Sequence, residues 1–352
     1  MAKRWLLLLV FLVLGVFIVS KLQFKTALLI DTDADSDDMM AICMLLKEPR
    51  IEVKAITTSG VGMATYEKAA PNIRNLLAFL GRSDIPVTSG AKISLSPISN
   101  FPASWRSDAD NIQGFVLPKS DSTPVAISSS EMIVKQVKDA QAKGRKLDIL
   151  AIGPMTNIAH ALEDAPEIVS GIRKIVLMGG TIDVPGNVVG EDKGLAHPKS
   201  EYNIYLDALA ASRVFESGIP IELVPLDATN SVPITDAIIA RITKETTPTA
   251  GFIRFISAKF VLSQAPAKVY YWDPLAAAIL TDPKIGKDKR LLRVKVNLND
   301  KSANYGSLVT SAPKSLYTKD MKTDPNGAVM TVYLSADSAK FYEMFIQSVN
   351  RK

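Results

Sequence analysis

The chain has 352 residues, 47% hydrophobic and 22% charged, with a formal net charge of +5. Its length allows a sizeable core, and its single cysteine, Cys43, excludes a disulfide framework or a thiolate metal site and reads as a core residue. Lys3, Arg4, Lys21 and Lys25 supply four of the positive charges ahead of the first predicted strand, which leaves +1 for the rest, so no nucleic acid or acidic polymer is implied as a partner.

Lys3-Arg4 is followed by sixteen uncharged residues, 5–20. This stretch is long for a signal-peptide core and short of a membrane span of ~20 residues. Ser20 is the only small residue near its end and Ile18 stands two places earlier, so an Ala-x-Ala type cleavage site is missing. Residues 1–25 therefore read as a signal-anchor in preference to a signal peptide. The expected location is exported or membrane-anchored, with residues 26–352 as one extracytoplasmic domain close to the bilayer.

Ala27-Leu28-Leu29-Ile30 reads as a buried strand and residues 39–46 as the start of a helix. Between them stand Asp31, Asp33, Asp35, Asp37 and Asp38, five carboxylates within eight residues. Charges this close repel unless protonated, hydrated or neutralised, and a divalent cation answers that economically. An EF-hand would need Gly and Glu where Ser36 and Ile42 stand, and a helix in front instead of a strand. An aspartyl-phosphate phosphohydrolase would use Asp31-Thr32-Asp33, but Asp35 occupies the place usually given to a small hydroxyl residue. A solvated acidic turn capping a helix through Asp37 and Asp38 explains only two of the five. The cluster lies at the carboxyl end of a strand, where open α/β sheets bind ligands.

Further along, strand patterns at 52–57, 147–152, 174–178 and 221–225 alternate with helix patterns at 71–81, 129–143 and 208–217. Strands at 292–298, 306–310 and 328–334 and an amphipathic helix at 338–349 close the chain. The alternation predicts a single α/β domain with an open, mostly parallel, mixed central sheet flanked by helices.

Four polar stretches follow strands as the acidic cluster does: Gly153-Pro154-Met155-Thr156-Asn157, Gly179-Gly180 running on to Gly186-Asn187, Ser200-Glu201-Tyr202-Asn203, and Trp272-Asp273-Pro274-Leu275. Together with Asp31 to Asp38, and in this order, they resemble the calcium-dependent nucleoside hydrolases (inosine-uridine preferring nucleoside N-ribohydrolases). The resemblance implies a Rossmann-like nucleoside hydrolase fold and one Ca²⁺ held by Asp33, Asp38, the backbone carbonyl of Thr156, and Asp273. All-oxygen donors from separate loops suit that ion. It further implies that Asp33 is the general base, that Asp37 with the ion takes the ribose diol, and that Asn187, Glu201 and Asn203 hold the other hydroxyls. The substrate would be a small-molecule nucleoside, and relatives generally form homodimers or homotetramers.

Many members carry His just before the last metal-binding Asp, where this chain has Trp272. A purine-specific branch has Trp there and a second Trp in a Trp-Arg dipeptide, matched here by Trp105-Arg106. Two indoles would sandwich a purine. Asp183-Val184-Pro185-Gly186-Asn187-Val188 and Asp227-Ala228-Thr229-Asn230-Ser231-Val232-Pro233 also resemble that branch. Asp35 stands where members have Gly or Asn, near the ribose 5′ end, where it would repel a 5′-phosphate. Ser59-Gly60-Val61-Gly62 lacks an Asn often found there, and a nucleoside-binding domain without turnover is the alternative these departures raise. Of the two histidines, His160 is expected to pack in a helix, and His197 lies in a loop whose closure would carry it toward the site.

Overall fold

The computed structural model describes residues 25–96, 100–189, 195–242, 247–264, 268–311 and 327–351. Apart from Lys25, the predicted N-terminal segment lies outside them. No helix among the described residues is long and apolar enough to cross a membrane.

Eleven strands are described: β1 (Thr26–Thr32), β2 (Ile51–Thr58), β3 (Val87–Ser89), β4 (Leu147–Ile152), β5 (Ile172–Met178), β6 (Val188–Val189), β7 (Leu195–His197), β8 (Ile221–Val224), β9 (Gly286–Val296), β10 (Leu308–Ser311) and β11 (Ala328–Ala336). Nine of these form one sheet in the order β10-β9-β11-β8-β5-β4-β1-β2-β3. Neighbours from β3 to β11 pair in parallel, while β9 runs antiparallel to both β11 and β10. This is the expected mixed, mostly parallel sheet. β6 and β7 make a separate antiparallel pair.

The strand alternation of β1 sets the layers. Leu28 and Ile30 enter one core with the helices Ser36–Leu46, Pro248–Gln264, Trp272–Thr281 and Ser338–Asn350. Ala27 and Leu29 enter the other with Ser129–Gln141, Thr156–Asp164 and Ala208–Glu216. Both faces of the sheet are covered, which is why its central strands read as continuous apolar runs.

The helix predicted at 71–81 instead spans Tyr66–Phe79, with Pro71 inside it. Proline favours a first turn and removes a backbone donor, but Ala69, Ala70, Ile73, Leu76 and Leu77 are all buried and hold the helix across it. Tertiary burial outweighs the local signal here.

From β1 the chain winds outward through β2 to β3, then crosses back to β4 on the other side of β1. The carboxyl ends of β1 and β4, in register at Thr32 and Ile152, form the topological switch point of the sheet.

Candidate active site

The acidic turn is built directly off β1. Ala34 takes a left-handed conformation (φ 64°), uncommon for a residue with a Cβ, and its N–H donates to Thr32 Oγ1 at 3.0 Å. The Thr32 hydroxyl in turn donates to Asp38 Oδ1. Asp38 also accepts from the N–H of Asp33 and of Asp35, both at 3.2 Å. Asp33 Oδ2 accepts from Met63 N–H at 2.9 Å. Two glycines make room for Asp33: a Cβ on Gly62 would lie 2.0 Å from its Oδ2, and one on Gly153 would lie 2.8 Å from its backbone N.

All five carboxylates of the turn are buried, so the solvated acidic turn is ruled out. Asp37 and Asp38 converge with Asp273, at the start of the helix Trp272–Thr281, with ligand oxygens within 4.8 Å of one another. Burial and mutual repulsion push all three carboxyls well above the usual carboxylate range. Burial, aided by the charge of Asp35, raises Asp33 to about 7 against the opposing Met63 N–H. Burial also lifts Asp35 to about 6 and Glu201 to about 7. Three anionic oxygens this close and this dry match a hard divalent cation in number and chemistry. The converging trio includes Asp37, which the resemblance gives to the ribose. Asp33 lines the same cleft with one oxygen committed to Met63.

A cleft of about 290 Å³ opens over this turn. Besides Asp33, Asp35, Asp37, Asp38 and Asp273, it is lined by Asn187, Glu201, Asn203, Trp105 and Trp272. Thus nearly every residue singled out from the sequence reaches one cavity. Among the residues given a metal, catalytic or substrate role the exception is Thr156: it is fully buried at the start of its helix, its hydroxyl donates to Asp207 at 2.6 Å, and it is not among the lining residues.

Glu201 serves the fold as well as the cleft. Its carboxylate caps the short helix Tyr202–Tyr205, accepting from Asn203 N–H at 2.9 Å, and reaches Gly180 N–H at 2.8 Å. Asn203 Nδ2 donates to Met178 O at 3.2 Å. Asn187 is held through its backbone, which donates to Ser200 O at 3.0 Å. Asn187 Oδ1 and Trp272 Nε1 are buried with no hydrogen-bond partner among the described residues.

The two indoles are half-buried and belong to separate aromatic groups: Trp105 with Phe101 and Tyr202, and Trp272 with Phe260 and Tyr270. Arg106 turns away and donates to Met63 O at 3.3 Å and Gly60 O at 3.4 Å, clamping the loop that contacts Asp33. Neither histidine lines the cleft. His160 is half-exposed, 3.9 Å from Glu163, and less packed than its helix position suggests. His197 packs against Tyr205 with tilted rings, centroids 4.5 Å apart, and its Nδ1 lies 3.2 Å from Ala303 O.

Several contributors carry no sequence signal of their own. Met63, Phe101, Phe260 and Lys268 line the cleft from loops and helices outside the recognised motifs, whereas Tyr202 sits inside one. Asp31 lies beneath the site, accepting from Thr57 Oγ1 at 2.6 Å and Asn157 Nδ2 at 2.8 Å, and burial raises it to about 7. Asp227, in the motif near residue 230, accepts from the N–H of Ile182 at 2.8 Å and of Asp183 at 2.7 Å, so it pins the loop leading to Asn187.

Fold and cleft define a single-domain α/β protein with an acidic ligand site at the switch point of its sheet. The chain belongs to the inosine-uridine preferring nucleoside hydrolase family, whose model matches residues 28–343, and is a hydrolase acting on N-glycosyl bonds. It is 35% identical over 265 residues to the pyrimidine-specific ribonucleoside hydrolase RihA of Shewanella woodyi, an alignment covering 73% of this chain and 76% of that one. The purine-preferring ribonucleoside hydrolase of Gardnerella vaginalis superposes with a TM-score of 0.76 at 26% identity, covering 92% and 98% of the two chains. A plant nucleoside hydrolase, PpNRh1, shares the fold with a TM-score of 0.80 at 24% identity, covering 93% and 100%.

Proposed function

We propose that this protein cleaves ribonucleosides, purine nucleosides by preference, to ribose and free base in a Ca²⁺-dependent reaction. The observation that carries the proposal is the convergence of Asp33, Asp37, Asp38, Asp273 and Glu201 with two indoles on one cleft. Asp37, Asp38 and Asp273, whose oxygens converge, would hold the ion, with Asp33 and the Thr156 carbonyl as the further ligands that the family resemblance implies, and its charge would ease the loss of a proton from water.

The protein groups supply the rest. Asp33, whose Oδ2 is fixed by the Met63 N–H, accepts the proton of the attacking water as general base. Breaking a ribose C1′–N bond builds positive charge on the sugar, and carboxylates fixed beforehand around it stabilise that charge without reorganising. Asp37, Glu201 and Asn203 accept sugar hydroxyls, and the unspent Oδ1 of Asn187 is available for another. Trp105 and Trp272 offer aromatic faces to the base, and a fused purine ring gains more from such stacking than a single ring does.

A pyrimidine preference is the second reading, favoured by the 35% identity to a pyrimidine-specific relative. The test is a panel of inosine, adenosine, guanosine, uridine and cytidine, assayed for released ribose with wild type, Asp33→Ala and Trp272→Ala. Purine turnover that falls at least tenfold in Trp272→Ala, with pyrimidine turnover nearly unchanged, supports stacking on a purine. Dominant uridine or cytidine turnover overturns the purine preference. No ribose from any nucleoside, with Asp33→Ala indistinguishable from wild type, overturns the hydrolase reading of this chain.

A further inference from the structure

A nucleoside hydrolase that must expel a poor leaving group needs a proton for the departing base, and this cleft offers no imidazole. His160 and His197 both pack elsewhere, and the Arg106 guanidinium is engaged with backbone carbonyls. Among the described residues lining the cleft, Lys268 is the one cationic side chain. It stands four residues before Trp272 and lines the cleft together with Val269, Phe260 and Trp272.

The segment after Lys268 is fixed. Ile234 N–H donates to Val269 O at 2.9 Å and Tyr271 N–H to Val232 O at 3.0 Å, with a bridge between Pro233 and Tyr270. Lys268 is itself exposed, so its flexible four-carbon stem can swing over a base lying against Trp272.

We propose that Lys268 is the acid that protonates the leaving base, an assignment that rests on the nucleoside hydrolase reading of the site. As C1′–N breaks, its electron pair goes to the base, and the proton on Lys268 Nζ moves to a base nitrogen. The water oxygen bonds to C1′ while its proton goes to Asp33. The sum is one water consumed and ribose plus neutral base released, after which solvent returns a proton to Lys268 and takes one from Asp33.

The test compares nucleosides with p-nitrophenyl β-riboside, whose phenolate leaves without protonation. Lys268→Gln is expected to lose about 10²- to 10⁴-fold in kcat/KM on nucleosides and little on the p-nitrophenyl riboside. Lys268→Arg keeps the charge but cannot give up a proton, so it should lose nearly as much on nucleosides. Equal losses on both substrates, full nucleoside activity in Lys268→Arg, or an unaffected Lys268→Gln each overturn the assignment. So does a leaving-group-selective loss in Tyr202→Phe in place of Lys268→Gln. Wild type inactive on the p-nitrophenyl riboside and on every nucleoside instead overturns the hydrolase reading beneath it.

Discussion

The cation proposed for the acidic turn has a consequence for stability that can be worked from the carboxyls themselves. Burial raises Asp33 from 3.8 to about 7, and it pushes Asp37, Asp38 and Asp273 in the same direction. In the metal-free protein the folded state holds protons that the unfolded chain has already released above pH ~4, so stability falls as pH rises toward about 7. Asp33 by itself costs up to about 1.4 kcal/mol per pH unit across that window. From pH 5 to 7, Asp33 alone removes about 2 kcal/mol, or about 4 °C at ~2 °C per kcal/mol. Ca²⁺ bound as proposed would reverse the balance by favouring the ionised carboxylates, and would add about 2.7 kcal/mol at a hundredfold excess over Kd. Thermal melts of the full chain at pH 5, 6, 7 and 8, in a chelator or in CaCl₂, should show a calcium shift that widens with pH. A chelated protein whose Tm is flat or rises from pH 5 to 7, or a calcium shift equal at pH 5 and pH 7, would refute the reasoning.

Two substitutions probe the supports of the site. In Gly62→Ala the new methyl would sit 2.0 Å from Asp33 Oδ2, so Asp33 must turn away from Met63; kcat should fall at least 10²-fold, with ~1–3 kcal/mol lost in denaturant melts. Asp227→Ala leaves the N–H groups of Ile182 and Asp183 without their acceptor. That should cost ~2 kcal/mol of stability and raise the nucleoside KM several-fold as the loop before Asn187 loosens, read from steady-state kinetics beside a denaturant melt.

Much of the site was legible because its chemistry is written in runs. Five acids between an apolar strand and a helix can be read without a structure, whereas Asn187, Glu201, Asn203 and Asp273 were brought to the same site only by the resemblance of their motifs, in order, to a known family. What could not be read is contact between segments far apart in the chain. That Met63 N–H would bind Asp33, or that Gly62 exists to make room for it, follows from where β2 ends beside β1. Phe101 and Phe260 look like any core aromatics in sequence, and only packing puts them on the cleft. The double duty of Glu201, helix cap and cleft wall, shows why a boundary reading and a binding reading of one residue need not compete. In the fold, β3 is only three residues long and escaped notice, whereas the closing strands and helix were foreseen because their alternation is strong.

The acids that meet at the cation site come from opposite ends of the chain: Asp37 and Asp38 follow the first strand, while Asp273 sits on a late helix. The final helix then locks onto the first, Ser348 Oγ donating to Met44 O at 3.0 Å. A polypeptide emerging from the ribosome therefore exposes its early aspartates long before their counterpart is made. Contacts of such long sequence separation form late, so the growing chain lacks its complete acidic trio until synthesis has delivered the last third.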